Sequence, residues 1–156
     1  MSNQAVPGFR TYRHLQCGGE TLASGESFEV VSNPLSGVEV TQCSACGAQS
    51  PIADFVWADT EESIADYYAR HGQSASDFQR LLCSRRFMLT LIAIGALIVA
   101  AGCFYLVRDD NWLAQVLCTG TGLVIGAVVG GTAFEKVFEK PIARKVCGVR
   151  DTRMLN

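Results

Sequence analysis

At 156 residues the chain has room for one small soluble domain and a membrane segment but hardly for two ordinary globular domains, and its 49% apolar composition averages two unlike halves. Residues 1–80 carry four Arg against ten Asp or Glu, a net of about −6, whereas residues 81–156 carry nine Lys or Arg against five acids, about +4. An acidic front half repels phosphates, so no nucleic-acid partner is expected, and the positive charges of the back half flank apolar runs as membrane-flanking charges do.

In chain order, Phe9 to Arg13 reads as a strand leading into His14-Leu-Gln-Cys17-Gly. The stretches Ser27 to Ser32 and Val38 to Gln42 cluster β-formers around Asn33-Pro-Leu-Ser-Gly37, a turn composition, and are expected as strands. Cys43-Ser-Ala-Cys46-Gly then repeats the earlier pattern of a ligand-type residue, two spacers, Cys and Gly, and Asp54 to Trp57 offers another strand. Two ligand-type side chains three positions apart can meet one ion, and the glycine after each pair permits the turn whose amides face the thiolates.

These motifs resemble the two knuckles of the zinc-ribbon class over roughly residues 9 to 58, with 25 residues between Cys17 and Cys43. The resemblance implies one structural zinc per chain held by His14, Cys17, Cys43 and Cys46. It departs from the usual pattern in having His14 where ribbons more often carry Cys, and His71 is the alternative histidine. A four-ligand set leaves no open position for a catalytic water, and in a domain of this size the ion supplies much of the folding free energy. A redox Cys43/Cys46 pair and a disulfide framework are the rival readings. The first wants a βαβ scaffold and a depressed thiolate pKa, neither of which is expected here, and the second wants an oxidising compartment.

Past residue 58 a helical connector is expected over 59–86. Asp59-Thr-Glu-Glu62 would cap a helix through Ile64, Tyr67 and Tyr68 ending at His71-Gly72, and Ser74 would open a second helix running unbroken into the apolar segment. Residues 87–107 and 112–134 are two uncharged stretches, the second diluted by Gln115, Thr and Gly. The first covers about 30 Å as a helix, the thickness of a bilayer core, so the pair reads as an antiparallel transmembrane hairpin over 87–134. Arg80, Arg85 and Arg86 precede it, Lys136, Lys140, Arg144, Lys145 and Arg150 are among the residues that follow it, and the turn holds only Arg108, a bias that puts both termini in the cytoplasm. That side is reducing, which favours metal over disulfides.

Gly122, Gly126 and Gly130 recur every four residues and resemble a glycine zipper, packing against the first span, against a second copy, or around a pore. Residues 135–156 are expected as a basic cytoplasmic tail, in which Glu135 to Lys140 extend the second helix until Pro141 and Ala143 to Asn156 lie near anionic headgroups or are partly disordered.

The expected fold is therefore a small α+β membrane protein: a β-rich zinc-ribbon-like module over 1–58, juxtamembrane helices, and the hairpin. No catalytic triad, phosphate loop or dinucleotide fingerprint is present, so no enzyme is expected. The expected role is a membrane-anchored zinc-binding interaction or scaffold module with membrane lipid and a protein as partners. An oligomeric channel or transport component and, further off, a thiol oxidoreductase are the alternatives.

Overall fold

The computed structural model describes residues 5–155 as two compact units, one made of the chain up to Ser76 together with the segment from Ile142 onward, the other of Asp77–Pro141. The first unit is α+β. Strands β1 (Phe9–His14) and β2 (Glu20–Ser24) form an antiparallel hairpin in which Tyr12 faces Thr21 and Phe9 faces Ser24.

Helix α1 (Gly25–Val31) follows, then a second hairpin of β3 (Val40–Gln42) and β4 (Gln49–Pro51), and β5 (Phe55–Trp57) returns to pair with the free side of β1. The three-stranded sheet runs β2-β1-β5. Strand periodicity sends Arg10, Tyr12 and His14 of β1 to the inner face and leaves Phe9 and Thr11 outside.

Ser27 to Ser32, expected as a strand, is instead most of α1. The Ser27 hydroxyl accepts from the Ser24 N–H at 3.3 Å and donates to the Ser24 carbonyl at 2.7 Å, a serine-based start that local β-propensity does not reveal. Phe28 and Val31, one helical turn apart, then bury a common face. Tertiary burial overrides the Val30-Val31 preference for strand. The β character belongs to Glu20–Ser24 instead.

Helix α2 (Ile64–Gly72) carries Ile64, Tyr67 and Tyr68 as expected, but Ser63 rather than Asp59 caps it, accepting from the Asp66 N–H at 3.0 Å. Ile64 and Tyr67 join Tyr12, Ala23, Phe28, Val31, Cys43, Phe55, Trp57 and Leu155 in one core.

Leu155 in that core corrects the reading of the C-terminal segment as a headgroup-bound or partly disordered tail. Helix α6 (Lys140–Cys147) and a 3₁₀ turn (Thr152–Met154) are ordered, with Ala143, Thr152 and Leu155 buried and Cys147 and Val149 packed against the core. The basic residues of the segment masked this in the sequence, because the contacts are made by the apolar residues between them.

In the second unit, α3 (Asp77–Leu82) does not run unbroken into the apolar helix. Ser84 interrupts it and caps α4 (Arg85–Leu106), accepting from the Phe87 N–H at 3.2 Å. Helix α5 (Trp112–Ala133) packs antiparallel on α4. Both helices are long and apolar enough to cross a membrane.

The residues that dilute the second apolar stretch have local partners. The Gln115 amide donates to the carbonyls of Arg108 and Asp110 at 2.8 and 3.1 Å, closing the turn. Thr121 and Thr132 return their hydroxyls to the carbonyls of Leu117 and Val128 at 2.8 and 2.6 Å.

Gly122, Gly126 and Gly130 are buried against α4: a Cβ at Gly126 would fall on the carbonyl of Gly95, and one at Gly130 on that of Leu91. Past α5 the chain stays helical through a wide π turn (Phe134–Glu139) into α6, rather than stopping at Pro141. Pro141 lacks the N–H for the Val137 carbonyl and its ring crowds that oxygen, and a wider turn just ahead relieves both.

Candidate metal centre

Each Cys-x-x-Cys-like pair sits in the turn of its own hairpin, and the two turns share one hydrogen-bond pattern. The Gly18 N–H donates to the His14 carbonyl and the Gly47 N–H to the Cys43 carbonyl, both at 2.8 Å, while the His14 and Cys43 N–H groups donate to the carbonyls of Gly19 and Ala48, both at 2.9 Å. Gly18 and Gly47 take φ of +68° and +71°, the left-handed conformation that this turn requires and that a side chain resists. The repeat visible in the sequence is thus a repeat of backbone geometry.

Three contacts bring the turns together. The Tyr12 hydroxyl donates to the Gln42 carbonyl at 3.0 Å, next to Cys43. The Ser44 N–H donates to the Thr21 hydroxyl at 2.9 Å, and the Ser44 hydroxyl donates to the Glu20 carbonyl at 3.1 Å. Gly19 lies so close to Ala45 that a Cβ there would overlap the alanine methyl. The Gly18-Gly19 doublet was the sequence signal for this approach, and only its first glycine was read.

The result is four ligand-type atoms, from His14, Cys17, Cys43 and Cys46, all within 4.8 Å of one another, a group that can hold a metal ion. The His14 Nδ1 lies 3.3 Å from the Cys17 Sγ and 3.6 Å from the Cys46 Sγ, and the Cys17 and Cys43 sulfurs are 3.6 Å apart. A tetrahedral ion with metal–sulfur bonds of about 2.3 Å and a metal–nitrogen bond of about 2.0–2.1 Å requires edges of about 3.8 Å between sulfurs and about 3.5 Å from nitrogen to sulfur. The chemistry of the donor set and these three separations are consistent with a zinc-sized ion. His71 is not part of it; its ring lies edge-on to Tyr67, 4.7 Å between centroids.

The surroundings orient these donors. His14 is buried with its ring stacked on Phe55 at 4.7 Å, which aims Nδ1 at the sulfurs; its Nε2 is buried without a hydrogen-bond partner among the described residues. The Gly19 N–H donates to the Cys17 sulfur at 3.3 Å. The backbone N–H of Cys46, and after it that of Ala45, holds the Cys43 thiol down to about 6 against the opposing effect of burial. The Gly19 N–H likewise favours the Cys17 thiolate, but burial and the neighbouring Cys46 and Cys43 sulfurs outweigh it and push Cys17 up.

A depressed thiol at Cys43 was not expected and corrects that part of the sequence reading. Cys43 is wholly buried, so the low pKa sits on a sulfur that a dithiol substrate does not reach. The same depression is what a metal-ligating thiolate needs.

Of the other cysteines, Cys83 is buried and Cys147 donates its S–H to the His71 carbonyl at 3.8 Å. No family model, curated protein or solved structure matches the chain.

Proposed function

We infer that this is a membrane-anchored zinc-binding protein, in which a ribbon-like unit on the cytoplasmic face serves as an interaction or scaffold module and α4–α5 form its membrane hairpin. The observation that carries the reading is the convergence of His14, Cys17, Cys43 and Cys46, from two turns with the same hydrogen-bond pattern, to within 4.8 Å of one another. The two knuckle-bearing hairpins support the zinc-ribbon likeness, and a closed set of four protein donors suits a structural ion and a binding role rather than a catalytic one.

The membrane part of the reading rests on exposure. Ala100 is the one buried residue of α4, and the buried residues of α5 are its three stripe glycines, while Leu97, Ile98, Val124 and Val128 are exposed. A core helix of a soluble protein would be covered, and apolar surface this continuous calls for lipid or a partner. Trp112 and Tyr105 stand exposed beside the turn, where amphipathic rings meet headgroups.

Because the segments before α3 and after Pro141 pack into one unit, both flanks of the hairpin belong on one side. The excess of Lys and Arg there supports placing that side in the cytoplasm. The glycine stripe is used within the chain, against α4, which favours an anchor over the channel reading.

The test is to purify the full chain from membranes. About one zinc per chain, resistance to alkaline carbonate extraction, and labelling of an Asp110→Cys reporter only from the non-cytoplasmic side are the expected results. Metal-free protein, or a chain released by carbonate, would sink the reading.

A further inference from the structure

The inner face of β1 carries three residues with different duties. His14 joins the donor set, Tyr12 lies edge-on between Phe55 and Trp57 with centroids 5.4 and 6.3 Å away, and Arg10 is buried at 8% exposure four residues before the ligand. A buried guanidinium has to be paired. Arg10 donates to both carboxylate oxygens of Asp59 at 2.9–3.1 Å and lies 4.2 Å from the centre of the Trp57 ring. Nη2 also donates to the Thr60 hydroxyl at 3.4 Å, the Tyr67 ring centre lies 5.6 Å away, and a contact from a distant stretch completes the set: Nη1 donates to the Leu155 carbonyl at 3.4 Å.

Leu155 is itself 7% exposed in the core that contains Trp57, Phe55 and the ligand Cys43. Thr152 is buried and its hydroxyl lies 3.4 Å from that of Ser32 at the end of α1. The Asp151–Arg153 ion pair at 2.7 Å, with the Arg153 N–H bonded back to Asp151, stiffens the turn that presents them. Upstream, Gly148 takes φ of +66° in open space, so the segment beyond it leaves α6 through an exposed bend.

We propose that Val149–Leu155 is a strap that locks the metal-bearing unit: its docking on Arg10 and Ser32, with Leu155 in the core that includes Trp57, holds the inner face of β1, and through it His14, in the geometry that retains the ion. The proposal rests on the metal reading above. The strap lies beyond α4 and α5 in the chain, so the lock closes only after both helices have been made, which makes metal retention a late step of assembly.

The test places a specific protease site after Gly148 in the full chain, so that the strap is cut after folding. Two quantities are read: the rate at which a chelator removes the metal, and amide exchange at Arg10 and Tyr12. Cutting is expected to speed metal loss at least about tenfold and to accelerate exchange, with excess synthetic Val149–Leu155 peptide reversing both. The uncut Leu155→Asp chain is expected to match the cut protein and covers the case in which the severed strap stays bound. If the cut protein and Leu155→Asp both behave as the intact chain, the strap is no lock. If the intact chain holds no metal, the metal reading fails, and amide exchange alone decides the strap: acceleration supports it and no change overturns it.

Discussion

In the unit spanning Asp77–Pro141, two uncharged runs mark two helices, and the face on which they meet is the one that carries the four-residue glycine spacing. In the first unit the partners that matter come from distant stretches: Arg10 with Asp59 and Leu155, Tyr12 with Gln42, Ser32 with Thr152. The contrast teaches where each unit is vulnerable. The hairpin fails at the glycine faces, where two backbones touch. The first unit fails at the few groups that join its separate pieces, and on the proposed reading an ion held by His14, Cys17, Cys43 and Cys46 is foremost among them.

The largest separation between the two is expected from Cys43→Ser. Structural zinc in small domains contributes on the order of 10 kcal/mol or more to folding, so this change should unfold the first unit while leaving the helical circular dichroism of α4 and α5 in place. Gly126→Leu should do the reverse. Its side chain would meet the carbonyl of Gly95, costing about 1–3 kcal/mol or more in hairpin stability as read by the detergent-denaturation midpoint, with metal content unchanged.

Asp59→Ala should cost about 1–3 kcal/mol in the first unit alone, since it leaves the buried Arg10 charge only the Trp57 and Tyr67 rings, the Thr60 hydroxyl and the Leu155 carbonyl. Chemical denaturation with and without metal measures it. The smallest effect is expected from Tyr12→Phe, about 0.5–1.5 kcal/mol, which removes the bond to Gln42 and leaves the ring packing intact; metal should be retained but lost faster to a chelator.

Acidification sharpens the same comparison. Cys43 is held near 6 in the folded chain against an ordinary value of 9.0, so its thiolate favours the folded state fully above the unfolded value and loses that contribution as pH falls through about 6. Because metal binding also requires deprotonated sulfur, titration from pH 8 to pH 5 should release metal and loosen the first unit together. Helicity of the hairpin should stay flat over that range, since no ionisable carboxylate or histidine lies within α4 or α5.

How much was legible follows from the same contrast. The ligand pattern and the apolar runs are local signals, and the two knuckles and two long helices lie where those signals put them. Ser27 to Ser32 misled because its β-formers are held in a helix by a serine hydrogen bond and by burial of Phe28 and Val31, neither of which local composition encodes. Ser84 misled because a single cap residue within a helical pattern is a weak stop signal until its hydroxyl is seen on the Phe87 N–H.

Leu155 and Arg10 were invisible for a different reason. A lone Leu in a basic segment and one of two Arg in a strand acquire meaning only from each other, 145 residues apart. The second glycine of Gly18-Gly19 was readable in principle, since a doublet beside a ligand signals close backbone approach.

X-ray absorption at the zinc edge of the full chain, purified from membranes, bears most directly on the account. Three sulfur scatterers at about 2.3 Å and one nitrogen at about 2.0–2.1 Å are predicted, with the sulfur count falling to two in any Cys43→Ser protein that keeps metal. A shell made only of light atoms, or a disulfide among Cys17, Cys43 and Cys46 in place of the ion, would contradict it.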